Sequence, residues 1–486
     1  MNVDKSKKTL ISQVSGDSTV YNKHGEGFSL SNFLSSGNSE VFGIDINTFK
    51  KIETKIVSYK YIDQIKPAIL LRLNKESKKM CKNQHVYCIN NGIIDTKKIE
   101  DLNKNDCVIV PKKLFTSESY EHNIYSNSFS FQNNISKNEL GELNINIHQL
   151  DDIGNAYLPD GPMSNDIFYL AGYLAGQLAK QSLSLSNFEH LNNRNFKEEV
   201  TDGSIEMHLG TKSMMYEICS LFSNSFRIEP EIYTIDDRHH VLRIRSICVK
   251  EILFHIIFNA YKYNKTYIFA FLSGLNDCSG RVYFGKSVSA YMHLNIPAEM
   301  RKMRQIIYRS LRAVGVISAS FQGPGIKINT LFDIQQMCGN IYSRNVSKHK
   351  EFIQLARLVQ DGMVKKNTNL GFYLGDTLKS DLDMLKFSSS STSLSSSMIT
   401  KYKNNKFMNY YNAHQLALEM CSVYNPIKHE SLKIADLIDS DIIGAKLQNT
   451  SDYGHQKMLE VYTEDGSPII INDILCATKK YQEQYV

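Results

Sequence analysis

Phe271-Leu272-Ser273-Gly274-Leu275-Asn276-Asp277-Cys278-Ser279-Gly280 is an apolar stretch studded with small residues. Leu170-Ala171-Gly172-Tyr173-Leu174-Ala175-Gly176-Gln177-Leu178 is built the same way. Both read as helices. Small residues four apart, such as Gly172 with Gly176 and Ser273-Gly274 with Asp277-Cys278, give each helix a side that another backbone can approach closely. Gly172 and Gly274 are 274 − 172 = 102 residues apart. Each stretch opens a similar run. At 213–222, Met214, Met215, Ile218, Cys219 and Phe222 share a helical face; at 299–315, Met300, Met303, Ile306, Ile307, Leu311 and Val314 do. Gly315 sits where a helix would stop. Strand-like sequence follows each, at 227–233 and 316–321. Residues 161–365 therefore read as two diverged copies, 161–265 and 266–365. Each is ordered helix–strand–strand–helix–strand–strand, which predicts a pseudo-two-fold domain.

Working outward, residues 1–115 read as an all-β pattern. Short β-rich runs lie at 41–46, 54–59 and 68–73, with turn residues such as Asn90-Asn91-Gly92 and Asn103-Lys104-Asn105-Asp106 between such runs. Residues 116–160 are polar and weakly periodic, and read as a connector. Residues 366–430 read as a second connector, with the low-complexity run SSSSTSLSSS at 388–397 as a surface loop. Strand-like sequence resumes at 431–486. An all-β pattern that stops and resumes predicts one domain interrupted by another, in an α+β chain.

The totals bound the function classes. A chain of 486 residues, 42% hydrophobic and 22% charged, has the composition of an ordinary globular protein. Its formal charge of +6 permits a nucleic-acid partner without demanding one. The nine cysteines are scattered, odd in number and free of CxxC pairs, which argues against a disulfide framework and a zinc site. No signal-like leader or membrane-length apolar run is present, so the expected location is intracellular, nuclear or cytoplasmic, with no membrane partner.

The paired stretches resemble the repeated motif of LAGLIDADG homing endonucleases, and the second is the closer match. The flanks resemble an intein-type Hint domain split by such an endonuclease. Val14-Ser15-Gly16-Asp17-Ser18-Thr19-Val20 is similar to its start, His85-Val86-Tyr87-Cys88-Ile89 to the block carrying the splicing histidine, and the 99–111 run to the strand closing the first half. The stretch from Tyr453-Gly454 to Ile474-Leu475 is similar to its last strands. The resemblance covers most of the chain in order. It implies an all-β Hint domain, halves 1–115 and 431–486, split by a LAGLIDADG domain of αββαββα repeats. It also implies a monomer with internal two-fold symmetry and double-stranded DNA as partner.

In that family each motif helix ends in a carboxylate at its eighth position, and the two acids hold divalent ions against the scissile phosphates. The corresponding residues here are Gln177 and Ser279. Neither carries the charge that would balance Mg²⁺. Asp277, two residues earlier, is a surviving acid, and Mg²⁺ is expected only if cleavage is retained. The splicing positions have changed as well. Gln13 stands at the nucleophile position, and Ala477-Thr478 stand where the terminal His-Asn pair would fall. Gln cannot form a thioester and Thr cannot cyclise as Asn does. His85 then reads as a structural histidine.

DNA binding asks for less. Arg238-His239-His240-Val241-Leu242-Arg243-Ile244-Arg245 alternates, with Arg243 and Arg245 on one face and Leu242 and Ile244 on the other. That suits a groove-facing strand backed by a core. Arg238 belongs to the same candidate surface. Arg281, Lys286 and Lys327 are its counterparts in the second copy. Lys50, Lys51, Lys55, Lys60, Lys66 and Arg72 in the first flank read as solvated surface. Three readings stand: a site-specific DNA-binding protein whose cleavage and splicing are lost, an active metal-dependent endonuclease with unusual ligands, and a scaffold without DNA specificity.

Overall fold

The computed structural model describes residues 12–22, 27–73, 76–90, 93–112, 164–180, 204–236, 239–285, 290–323, 325–360, 364, 370–373, 407–410, 412–414, 416 and 438–480. The chain divides into two compact units. One comprises residues 1–115 with 366–486, and the other residues 116–365. Arg238, Lys286 and the serine run at 388–397 lie outside the described residues.

The first half of the discontinuous unit runs β1 (Gln13–Ser15), β2 (Thr19–Tyr21), β3 (Gly27–Ser29), α1 (Leu30–Ser35), β4 (Glu40–Ile44), β5 (Lys51–Leu73), β6 (Glu76–Cys81), β7 (His85–Asn90), β8 (Ile93–Lys98) and β9 (Cys107–Pro111). The runs expected at 54–59 and 68–73 are one strand, β5. The stretch between them lacks apolar alternation because it is mostly exposed, Tyr61 and Ile65 among it.

The continuous unit begins with α2 (Asn165–Lys180), β10 (Ser204–Leu209), α3 (Lys212–Phe226), β11 (Glu231–Asp236), β12 (His239–Arg245) and α4 (Ile247–Asn259). It continues with α5 (Lys265–Ser279), β13 (Gly280–Tyr283), β14 (Tyr291–Asn295), α6 (Arg301–Ala313), β15 (Ser320–Gln322), β16 (Gly325–Ile328), α7 (Leu331–Asn340) and α8 (Val346–Gln360). Its helices start where side chains can satisfy free amides. Thr211 accepts from Met214 before α3, Ser246 from Val249 before α4, and Asn264 from Tyr267 before α5. Arg227 closes α3 in a left-handed conformation, so the strand expected from 227 begins at Glu231. Gly315 ends α6 with φ +88.

The two copies share a strand topology. The first sheet is ordered β10-β12-β11 and the second β13-β14-β16-β15, so β14-β16-β15 repeats the first order. All pairings in both are antiparallel. Their inner faces are core: Ile205, Met207, Leu242 and Ile244 in the first, Met292, Leu294, Ile326 and Ile328 in the second, all buried.

α2 and α5 cross at backbone contact. A Cβ built on Gly172 would lie 1.8 Å from the Phe271 carbonyl oxygen and 2.9 Å from the Leu275 amide. A Cβ on Gly274 would lie 1.9 Å from the Tyr169 carbonyl oxygen and 2.8 Å from the Tyr173 amide. The offsets 274 − 172, 271 − 169 and 275 − 173 all equal 102, so each contact is the mirror partner of the other about a local two-fold. Near its end, Gly176 opposes Cys278, again 278 − 176 = 102 apart, with 2.6 Å between a glycine Cβ and the Cys278 Cβ. No side chain larger than hydrogen fits at Gly172 or Gly274 without parting the helices.

The chain returns to the first unit with β17 (Leu370–Tyr373), β18 (Phe407–Asn409), β19 (Ile442–Thr463), β20 (Ile469–Ile471), β21 (Ile474–Cys476) and β22 (Lys479–Lys480). The two ends form one 15-stranded, largely antiparallel sheet, in which β19 pairs with β1, β5, β9, β17 and β22. Residues 366–430, expected to be a connector, supply β17 and β18 to this sheet. Among the described residues no helix is long and apolar enough to cross a membrane.

Candidate nucleic-acid interface

Below the crossing point, α2 carries Gln177 and α5 carries Ser279. Gln177 is buried, and its Nε2 donates to the His208 carbonyl at 2.6 Å, tying α2 to β10. Ser279 is buried and donates back to the Leu275 carbonyl at 3.1 Å. Both side chains are spent on backbone groups. Cys278 between them is a neutral thiol, pushed up to about 12 by burial.

Asp277, the expected surviving acid, is engaged by four donors. Its Oδ2 accepts from the Tyr169 hydroxyl at 2.7 Å and from the amides of Arg344 at 2.7 Å and Asn345 at 3.2 Å. Its Oδ1 accepts from the Ser343 hydroxyl at 2.5 Å. The carboxylate holds the 343–345 turn that leads into α8. Burial raises its pKa above the ordinary carboxylate value, against the pull of these donors. Arg344, fixed by that turn, reaches back to Asp166 on α2 and Glu217 on α3.

Three cations surround this end of the helix pair. Lys180 closes α2 one turn beyond Gly176 and is exposed. Arg281 follows α5 across Gly280 and is exposed. Lys348, in the first turn of α8, donates to the Gly280 carbonyl. Burial lowers the Lys348 pKa, Glu351 opposes, and the charges of Lys180 and Arg281 lower it further. Sequence reasoning did not single out Lys180 or Lys348. Lys180 was visible as the basic end of the first motif helix. Lys348 lies 68 residues from Gly280, and no local pattern points to it.

The donor set does not fit a divalent ion. Gln177 and Ser279 are neutral and engaged, and the Asp277 oxygens are occupied. Among the described residues no group of three or more His, Cys, Asp or Glu could hold a metal.

The outer faces of the two sheets differ. In the first, Arg243 on β12 lies directly across from Glu206 on β10 and bonds it at 2.8 Å through Nε. Arg245 meets Glu231 of β11 at 3.1 Å. The expected alternation holds, with Leu242 and Ile244 buried behind, but both arginines face carboxylates. In the second sheet the four strands contain no Asp or Glu. Arg281, His293, Lys327 and Ser320 lie in one cross-strand row. The Lys327 ammonium sits 3.8 Å from the Tyr291 ring centroid, and Tyr291 stacks on Tyr283 at 4.9 Å. Among the described residues neither Arg281 nor Lys327 has a carboxylate partner. Tyr283, Tyr291 and His293 were not singled out from sequence, although the alternation of β14 places Tyr291 and His293 on the outer face.

In the other unit the expected splicing positions lie around β7. The His85 carbonyl accepts from the Ala477 amide at 3.0 Å, and buried Gln84 bridges the His85 and Ala477 carbonyls at 2.9 and 3.0 Å. Gln13 accepts from the Cys81 thiol at 3.8 Å. The Thr478 hydroxyl is bonded to the Ser467 carbonyl at 2.7 Å and lies 2.8 Å from the Thr463 hydroxyl. Burial pushes the Cys81 thiol up, away from the thiolate a nucleophile needs.

Comparison of the chain with protein-family models gives no match, and comparison with curated proteins gives none either.

Proposed function

We propose that this chain binds double-stranded DNA through the sheets of its repeat unit and neither cuts DNA nor splices. The single observation that carries the reading is the outer face of the second sheet. Arg281 and Lys327 stand there beside Tyr283, Tyr291 and His293, on strands with no acidic residue. Cations contact phosphates and guanine edges, and aromatic edges contact bases and sugars. The paired helices, the 102-residue repeat and the repeated strand order support a LAGLIDADG-type unit. The interrupted sheet supports a Hint-type partner unit.

Loss of cleavage follows from the ligands. Hydrolysis through two divalent ions needs anionic oxygens between the scissile phosphates, and Gln177 and Ser279 offer an amide and a hydroxyl already bonded to backbone. Selection from a random duplex pool at two salt concentrations tests the reading. One enriched site, bound less tightly as salt rises, is the expected result. Recovery of no sequence-enriched duplex would favour the scaffold reading, and site-specific cuts in Mg²⁺ would favour the endonuclease.

A further inference from the structure

We infer that the outer face of α8 docks an acidic amphipathic helix of a partner protein. The inference goes beyond the DNA reading above and uses a face on which that reading places no residue.

α8 has two faces. Phe352, Leu355 and Val359 are buried and hold the helix against its own unit. On the opposite side Val346, Lys350, Ile353 and Arg357 are all exposed. Steps of four, three and four residues put them in one line along the helix. Val346 is 63% exposed and Ile353 43%, so packing of α8 within its unit uses neither aliphatic. Among the described residues neither Lys350 nor Arg357 has a carboxylate partner. The residues one turn from Lys350 are Val346, Ser347, Ile353 and Gln354, none of them acidic. Lys348, on the inner side, differs: it is bonded to the Gly280 carbonyl and Glu351 acts on it.

The line is held rigidly. Asp277 of α5 fixes the 343–345 turn, and Arg344 of that turn is bonded to Asp166 of α2 at 2.6 Å and to Glu217 of α3. The start of α8 is thereby tied to three other helices, and docking requires little further ordering of it. The alternation of aliphatic and cation selects the occupant. A phosphate backbone would pair with Lys350 and Arg357 and leave Val346 and Ile353 in water. A wholly apolar helix would cover the aliphatics and bury two unpaired cations, which is unfavourable. A second copy of α8 would bring the same two cations and no acid. A helix with aliphatic side chains and carboxylates alternating along one face matches both kinds of side chain at once.

The test uses the full chain and a fluorescein-labelled helical peptide that alternates leucine and glutamate along one face, read by anisotropy. A scrambled peptide of the same composition is the control. The patterned peptide should bind at least about tenfold more tightly than the scrambled one, and less tightly as salt rises. Ile353→Asp, and Lys350→Glu with Arg357→Glu, should each weaken it about tenfold or more. The thermal midpoint should not change, because these side chains are exposed; if Ile353→Asp lowers it, Val346→Asp gives the same reading. No binding of the patterned peptide, equal binding of the two peptides, or full binding by the aspartate variant overturns the inference. Charge reversal that lowers duplex affinity while the peptide fails to bind would assign the face to nucleic acid instead, and also overturns it. None of these outcomes bears on whether the sheets bind DNA.

Discussion

In the first sheet of the repeat unit Arg243 and Arg245 lie against Glu206 and Glu231. In the second, Arg281 and Lys327 lie among Tyr283, Tyr291 and His293, with no acid on any of the four strands. The strand orders match and the inner faces are equally apolar, so the difference is confined to the outer side chains. A shared fold thus constrains the buried half of each strand and leaves the exposed half free to diverge. For a polyanion the two halves are unequal. Cations beside carboxylates must give up those pairs before reaching phosphate, while cations beside aromatic rings need not.

The comparison can be broken outright at the helix crossing. Gly172→Val would place a side chain where a Cβ already meets the Phe271 oxygen at 1.8 Å. We expect about 3 kcal/mol of destabilisation, with loss of hydrogen-exchange protection in both α2 and α5. Gly339, on α7, has no atom within 4 Å of its would-be Cβ. Gly339→Ala should therefore leave protection intact.

The next effect separates the sheets. Arg281→Ala with Lys327→Ala should reduce the salt slope of duplex binding by about two and weaken affinity at least about tenfold at low salt. Arg243→Ala with Arg245→Ala should weaken it less, since those arginines are already paired. Equal losses from the two double variants would show that the carboxylates do not matter. Conversely, Glu206→Gln with Glu231→Gln removes the acids that Arg243 and Arg245 pair with. It should strengthen binding a few-fold, through a faster association rate that salt suppresses.

The smallest effect concerns Asp277, whose pKa is raised chiefly by burial. A carboxyl raised in the folded state binds its proton more tightly there than when unfolded. Its stabilising contribution is complete below the unfolded value, about 4, and is lost as pH rises through the folded value. Asp277→Asn has no such titration. The protection of the 343–350 segment in the wild type should therefore decline relative to the variant as pH rises from about 4 toward neutrality. A constant difference across that range would count against a raised Asp277.

Much of the repeat was legible because its signals are local. Small residues four apart at Gly172–Gly176, and the same pattern repeated 102 residues later, point to paired helices without any knowledge of the rest. Leu242 and Ile244 alternate with Arg243 and Arg245 within one strand, so the buried face could be read directly. The partners of those arginines could not. Glu206 is 37 residues from Arg243, and Asp166 is 178 from Arg344. Such pairs are set by strand register and helix packing. The same reason hid the role of Asp277, whose donors at 343–345 lie 66 to 68 residues further along the chain. β5 was read as separate short runs because its middle is mostly exposed and carries no period-two signal. β17 and β18 were missed because three- and four-residue strands in polar sequence give too little pattern to detect.

The most direct measurement of the central claim is a random-duplex selection with the full chain in Mg²⁺, in which bound and cleaved molecules are sequenced from the same tube. The account predicts one enriched site among intact bound duplexes, at a strength that falls with salt, and no site-specific ends. Reproducible double-strand ends at a single sequence, or no enrichment at either salt concentration, would contradict it.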